Sequence, residues 1–251
     1  NTYTSGMLRE GLFKDRTIIV TGGATGLGKS MATYLSELGA NIVICSRKED
    51  NLLKSAEYII KKTGNNVLPV ACDVRDTDQI QNVIDTSFKE FDSIDCIVNN
   101  AAGNFISPTE RLSPKGFDVI IDIVLKGTSN FTLLLGKEWI KKKVEGNIVN
   151  IVTTYSFTGS GYVAPSAAAK GGVLALTKSI AAEWSKYGIR ANAIAPGPFP
   201  TDGAWERLFP KVLSKFIKIP KKRVPLNRFG EHQELSNLVA YLLSDYSSYI
   251  T

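Results

Sequence analysis

Lys170 stands four residues after Ser166 and fifteen after Tyr155 in the stretch NIVTTYSFTGSGYVAPSAAAKGG, which also carries Tyr162 and the pair Thr153–Thr154. An amine close to phenols and hydroxyls can hold or move a proton, because a neighbouring cation stabilises the ionised form of a phenol. Far upstream, VTGGATGLGKS spaces Gly22, Gly26 and Gly28 between an apolar β-branched run and a helical pattern. Glycines there let the backbone turn sharply and approach a pyrophosphate seated at a helix N-terminus. The spacing departs from Gly-x-Gly-x-x-Gly, so the strand before it and the helix after it carry the case for a dinucleotide.

These residues need elements to position them, and the chain supplies an alternation. TIIVTGG is followed by GKSMATYLSELG, NIVICSR by EDNLLKSAEYIIKKTG, and NVLPVACDV by DTDQIQNVIDTSFKEF. IDCIVNNAAGN and GNIVNIVTTY read as further strands, the second running to Tyr155. GFDVIIDIVLKGTSNFTLLLGKEWIKKK and SAAAKGGVLALTKSIAAEWSKYG read as two long helices, and IRANAIAPGP as a last strand. Apolar strands alternating with helices predict an α/β fold: a Rossmann-like, doubly wound parallel sheet with helices on both faces. No linker or repeat divides residues 1–251, so one domain is expected, with the proline-rich, basic segment 198–227 as a candidate substrate lid. The chain stops just after a helix at LLSDYSSYIT, where a closing edge strand is expected to follow.

The strand ends define the cofactor expectation. The glycine loop Gly22, Gly23, Ala24, Thr25, Gly26 and Leu27 would face the pyrophosphate. Ser46, Arg47 and Lys48 end the second strand with donors and positive charge where an acidic residue would repel a 2′-phosphate, which favours NADP(H) over NAD(H). Taken alone, those basic residues read equally as a solvated loop. Asp73 and Val74 end the third strand beside an expected adenine, and Asn100 and Ala101 the fourth, beside an expected nicotinamide ribose.

Together TGGATGLG, CDV, VNNAAG, NIVNIVTT, Lys170, IAAEW, GIRANAIAPGP and LLSD make nearly the whole chain resemble a short-chain dehydrogenase/reductase. That family commonly uses Asn, Ser, Tyr and Lys, with the tyrosine donating a proton to a carbonyl. Here Val124 stands at the usual Asn, Ser166 at the usual Tyr, and Thr153 or Thr154 near the usual Ser; Lys170 is retained. A serine hydroxyl is short and a poor proton donor at neutral pH, so ordinary ketone reduction is not expected. AAGNFISPTERLSP, DIVLKGT, TTY…GSG…PSAAAK and PGP instead resemble the 2,4-dienoyl-CoA reductases of the mitochondrial and bacterial short-chain type.

This resemblance implies hydride transfer from NADPH to the δ carbon of a 2,4-dienoyl thioester in unsaturated fatty acid β-oxidation. Asn104 and Tyr155 would stabilise the dienolate oxygen, and protonation at the α carbon through water would give a trans-3-enoyl-CoA. Lys170 would hold the nicotinamide ribose, Ser166 would support the site, and Pro196, Gly197, Pro198 and Phe199 would line the nicotinamide side. Arg75, Phe105, Ser113 and Arg207 are the implied acyl-CoA contacts, guanidinium forks suiting phosphates. Singly, either arginine reads as solvated surface, Phe105 as core, Asn104 as a turn residue and Tyr155 as strand-end packing; Tyr162 is assigned to packing or the substrate channel. The alternatives are a trans-2-enoyl-CoA or other acyl-thioester or carbonyl reductase of the same family, and a non-enzymatic NADP(H)-binding regulator. A homotetramer through the two long helices is the family expectation.

Composition bounds the remainder. With 43% hydrophobic and 22% charged residues the chain can bury a full core without metal or disulfides. Cys45, Cys72 and Cys96 are odd in number, widely spaced and set in or beside apolar strands, so they read as reduced core residues. The single histidine, His232, cannot form a His-based metal cluster. No apolar run approaches the ~20 residues of a membrane span, and the net charge of +6 is scattered rather than gathered into a nucleic-acid patch. The first residues lack a secretory core, and Asn1 in place of Met fits a removed targeting segment. The expected location is intracellular: cytoplasm for a bacterial source, mitochondrial matrix for a eukaryotic one.

Overall fold

Six apolar segments pair into one parallel sheet: β1 (Thr17–Thr21), β2 (Asn41–Ser46), β3 (Val67–Ala71), β4 (Cys96–Asn99), β5 (Gly146–Ile151) and β6 (Ile189–Ile194). Their order is β3-β2-β1-β4-β5-β6. Ile18 of β1 stands beside Ile42 on one side and Cys96 on the other. The computed structural model describes residues 8–201 and 224–251. The helices are α1 (Gly26–Glu37), α2 (Glu49–Thr63), α3 (Thr77–Phe91), α4 (Pro114–Ile121), α5 (Gly127–Lys142), α6 (Tyr155–Thr158), α7 (Ala164–Trp184) and α8 (His232–Leu243).

β1, β4 and β5 are buried throughout and β2 along most of its length, because helices cover both faces of the sheet's centre. Met31, Leu35, Leu52, Ile59, Val239 and Leu243 bring α1, α2 and α8 onto one face. Ile80, Val83, Phe131, Leu135, Trp139 and Ile180 bring α3, α5 and α7 onto the other. The strand order reverses between β1 and β4, and in such sheets ligands bind outside the carboxyl ends at that point.

Two elements differ from expectation. The segment read as one long helix is α4 and α5 joined through a π-helical turn, Asp122–Lys126. Gly127 follows that turn because a Cβ there would lie 2.6 Å from a methyl of Val74, so the helix approaches the β3 loop only without a side chain. The combined run Pro114–Lys142 is 29 residues long and apolar enough to cross a bilayer by length and composition, which the sequence reading did not anticipate. Ile120, Val124, Phe131, Leu135 and Trp139 account for that hydropathy by packing inside the protein. Strand β5 also ends earlier than expected, at Ile151, and Tyr155 opens the short helix α6. The lid expectation 198–227 lies mostly outside the described residues.

Candidate active site

The turn after β5 is closed by Thr153, whose carbonyl accepts from the Ser156 amide at 3.0 Å and the Ser156 hydroxyl at 2.6 Å. That turn sets Tyr155 at the start of α6, from which its hydroxyl reaches Ser166 Oγ at 3.0 Å. Asn104, five residues past β4, places Nδ2 3.5 Å from the same Tyr155 oxygen. Its amide is oriented, since Oδ1 accepts from the Phe105 amide at 2.9 Å and leaves Nδ2 as the donor facing the phenol. Asn104 and Tyr155 are half-buried, so both can meet a ligand.

Ser166 and Lys170 are one helical turn apart on α7, and both are buried. The Lys170 ammonium donates to the carbonyl of Ile151, the last residue of β5. Burial lowers its pKa to about 8. Val124, on the π-helical turn, contributes to this environment: it is fully buried in an apolar cluster with Val152, Ala169 and Val173, the last two flanking Lys170 along α7. Thr153 Oγ1 is buried and has no hydrogen-bond partner among the described residues. The arrangement gathers a phenol, an amide and a hydroxyl around one point, with an amine held behind them. It can donate two hydrogen bonds to one developing oxyanion.

A cavity of about 880 Å³ opens at the carboxyl ends of β1, β2 and β3. Its wall takes in Gly22, Ala24, Thr25 and Gly26 from the first loop, Ser46, Arg47 and Lys48 after β2, Asp73 and Val74 after β3, and Ala101 after β4. Sequence reading missed Lys29 and His232, which also line it. His232 Nε2 contacts the Pro200 carbonyl at 2.7 Å, a junction of distant segments that nothing local in the sequence signals. Thr25 precedes α1 without a side-chain cap, and the first turn holds no acid, so its amides are available to an anion. Gly28 is obligatory: a Cβ there would sit 2.2 Å from the Gly22 carbonyl oxygen.

Other expected cofactor residues are engaged inside the chain. A Cβ on Gly23 would collide with Ile44, Leu27 packs on the core, and Asn100 bonds the end of β1 through the Thr21 carbonyl at 3.0 Å. Pro196, Gly197, Pro198 and Phe199 follow β6, with the Pro198 carbonyl accepting from the Gly230 amide at 3.1 Å and Phe199 packed on the core. Of the expected acyl-CoA contacts, Arg75 grips Asp73 through Nε at 2.9 and 3.1 Å and holds that carboxyl below its usual range. Ser113 caps α4 by accepting from the Gly116 amide at 3.1 Å. The Phe105 ring packs near Gly116 and the Val124 cluster. Arg207 lies outside the described residues.

The cavity fits a dinucleotide on the chain's own geometry: glycine-lined loop, uncapped helix N-terminus, and a β2 end carrying Arg47 and Lys48 with no acid. Comparison with known proteins converges on the same chemistry. A family model described as enoyl-(acyl carrier protein) reductase matches residues 22–251. A Caenorhabditis elegans protein named probable 2,4-dienoyl-CoA reductase 3, (3E)-enoyl-CoA-producing, is 44% identical over 98% of this chain and 80% of its own length. A Bacillus subtilis protein named probable 2,4-dienoyl-CoA reductase, (2E)-enoyl-CoA-producing, is 42% identical over 94% of this chain and 92% of its own. The crystal structure of a short chain dehydrogenase from Bacillus anthracis superposes with a TM-score of 0.85 at 42% identity, covering 94% of this chain and 92% of that one.

Proposed function

The chain belongs to the short-chain dehydrogenase/reductase family, and on that premise we propose that it reduces 2,4-dienoyl-CoA to trans-3-enoyl-CoA with NADPH, in the breakdown of unsaturated fatty acids. It is an oxidoreductase acting on CH–CH bonds, and its family implies a nicotinamide cofactor. The choice of NADP(H) rests on Ser46, Arg47 and Lys48 at the end of β2, where a 2′-phosphate gains donors and charge. The observation that carries the reaction is the convergence of Tyr155 and Asn104, with Ser166 behind the phenol.

When bound, the nicotinamide supplies a hydride to the δ carbon of the diene. Tyr155 Oη and Asn104 Nδ2 then stabilise the negative charge that conjugation delivers to the thioester oxygen. With Ser166 as the donor in its 3.0 Å contact with Tyr155, the phenolic proton is directed at the ligand. Lys170, fixed to the end of β5, positions the cofactor ribose. Among the described residues the side chains clustered at Tyr155 include no carboxylic acid or imidazole, and in this reading water supplies the proton at the α carbon.

The two relatives carry names for different double-bond positions, (3E) and (2E), and both follow from one dienolate protonated at the α or the γ carbon. Proton NMR of the product from 2,4-hexadienoyl-CoA and NADPH tests the reading. A 3,4 double bond is expected; a 2,3 double bond refutes the assigned protonation site, and unreacted diene refutes the function. A second reading, reduction of a 2-enoyl thioester, is favoured by the description of the matching family model. The proposal extends to a homotetramer built through α5 and α7, and to bacterial cytoplasm or mitochondrial matrix as the compartment. A mass near four times 27.4 kDa in solution is the expected oligomer.

A further inference from the structure

Three large apolar side chains stand exposed beside the oxyanion donors, on the loop after β4, on α6 and on the loop after α6: Ile106 at 40%, Phe157 at 65% and Tyr162 at 61%. Ile106 is two residues past Asn104 and Phe157 two past Tyr155, so each lies within about 7 Å of backbone from a donor. The Ser107 amide donates to the Tyr162 carbonyl at 2.9 Å, tying the loop after β4 to the loop after α6. Tyr162 has a φ of 66°, a left-handed conformation that a bulky L-residue rarely adopts and that persists where the surroundings impose it. Every residue from 157 to 162 is exposed, so no part of the core accounts for these rings.

Apolar side chains at the mouth of a polar site suit a ligand with a reacting polar head and a hydrocarbon tail. We propose that Ile106, Phe157 and Tyr162 form an acyl-chain rim, with Tyr162 determining chain-length preference; this rests on the dienoyl thioester reading above. The tail beyond the δ carbon is one carbon long in a 2,4-hexadienoyl thioester and five in a 2,4-decadienoyl thioester. The two substrates differ only in this tail, so a rim that shelters it favours the longer one.

The test compares kcat/KM for 2,4-decadienoyl-CoA and 2,4-hexadienoyl-CoA in the wild type, Tyr162→Asn and Tyr162→Phe. Asparagine tolerates the left-handed backbone and removes the ring, while phenylalanine keeps it. The decadienoyl-to-hexadienoyl ratio is expected to fall about tenfold in Tyr162→Asn, through KM rather than kcat, and to hold in Tyr162→Phe. An unchanged ratio in Tyr162→Asn, in a wild type that reduces both substrates, overturns the rim and leaves the function standing. Phe157→Ser is the second variant should Tyr162→Asn fold poorly, with the same expected fall. A wild type that reduces neither dienoyl thioester overturns both.

Discussion

Tyr155 and Asn104 meet at one oxygen although 51 residues separate them in sequence. If they share the thioester oxyanion, Tyr155→Phe and Asn104→Ala should each lower kcat by about 10²–10³ in a steady-state assay, with smaller changes in KM. Ser166→Ala removes a hydrogen bond that orients the phenol without touching substrate, so a loss of about tenfold is expected. The residue types and the 15-residue offset from Lys170 were legible in the sequence. Their geometry was not, because the turn at Thr153 and the fixing of Asn104 by the Phe105 amide arise from backbone hydrogen bonds. The engagement of Arg75 with Asp73 was equally hidden, since the resemblance assigns Arg75 to the acyl-CoA and the strand end assigns Asp73 to the adenine.

Lys170 gives the residue scale a pH signature. Burial places its folded pKa at about 8 against an ordinary 10.5. Between those values the unfolded chain binds the proton and the folded chain does not, so this group makes the cofactor-free protein more stable as pH rises through the window. Below about pH 8 the lysine is charged and its burial is a cost throughout. Thermal melts at pH 7 and pH 9.5 should therefore show a smaller pH-dependent gain for Lys170→Met than for the wild type. The cofactor-bound enzyme should lose activity above about pH 8 if the ammonium holds the ribose.

At the scale of elements, the alternation of strands and helices was readable because both periods are strong. The π-helical turn at Asp122–Lys126 was not, since nothing in DIVLK departs from an ordinary helical pattern, and the close approach of Gly127 to Val74 that follows it joins residues distant in sequence. Gly28 shows the same dependence on distant packing. Gly28→Ala forces a methyl against the Gly22 carbonyl, and calorimetric titration is expected to show at least a tenfold loss of NADPH affinity. Helix α8 begins with a reciprocal capping box between Glu231 and Glu234, and Arg228 grips Glu234 at 2.7 and 2.6 Å. The Arg228 contact and the Glu231 amide lower the Glu234 pKa to about 2. Its stabilising contribution is complete above the ordinary value of 4.5 and is lost as pH falls through about 2. Glu234→Gln should lower the melting temperature at pH 7 and narrow the difference from wild type near pH 2.

On the scale of the whole molecule, the parallel sheet with its order reversal between β1 and β4 places every proposed function at one edge. The cofactor cavity lies over β1 to β3, and the donor pair follows β4 and β5. The positive charge that composition scatters over the chain matters locally, where Arg47 and Lys48 line the cavity and the acid that also lines it, Asp73, is gripped by Arg75. Arg47→Ala with Lys48→Ala should raise KM for NADPH about tenfold or more while changing KM for NADH little. The arrangement ties an unusual serine to a specific chemistry. The tyrosine that this family sets four residues before its lysine is absent here, and the phenol returns on α6, bonded to that same serine.

The most direct measurement is the initial rate of NADPH oxidation with 2,4-hexadienoyl-CoA, crotonyl-CoA and acetoacetyl-CoA side by side. A strong preference for the dienoyl thioester is predicted. Rapid turnover of acetoacetyl-CoA, or equal rates with all three, would contradict a site built around Tyr155 and Asn104 for a dienolate.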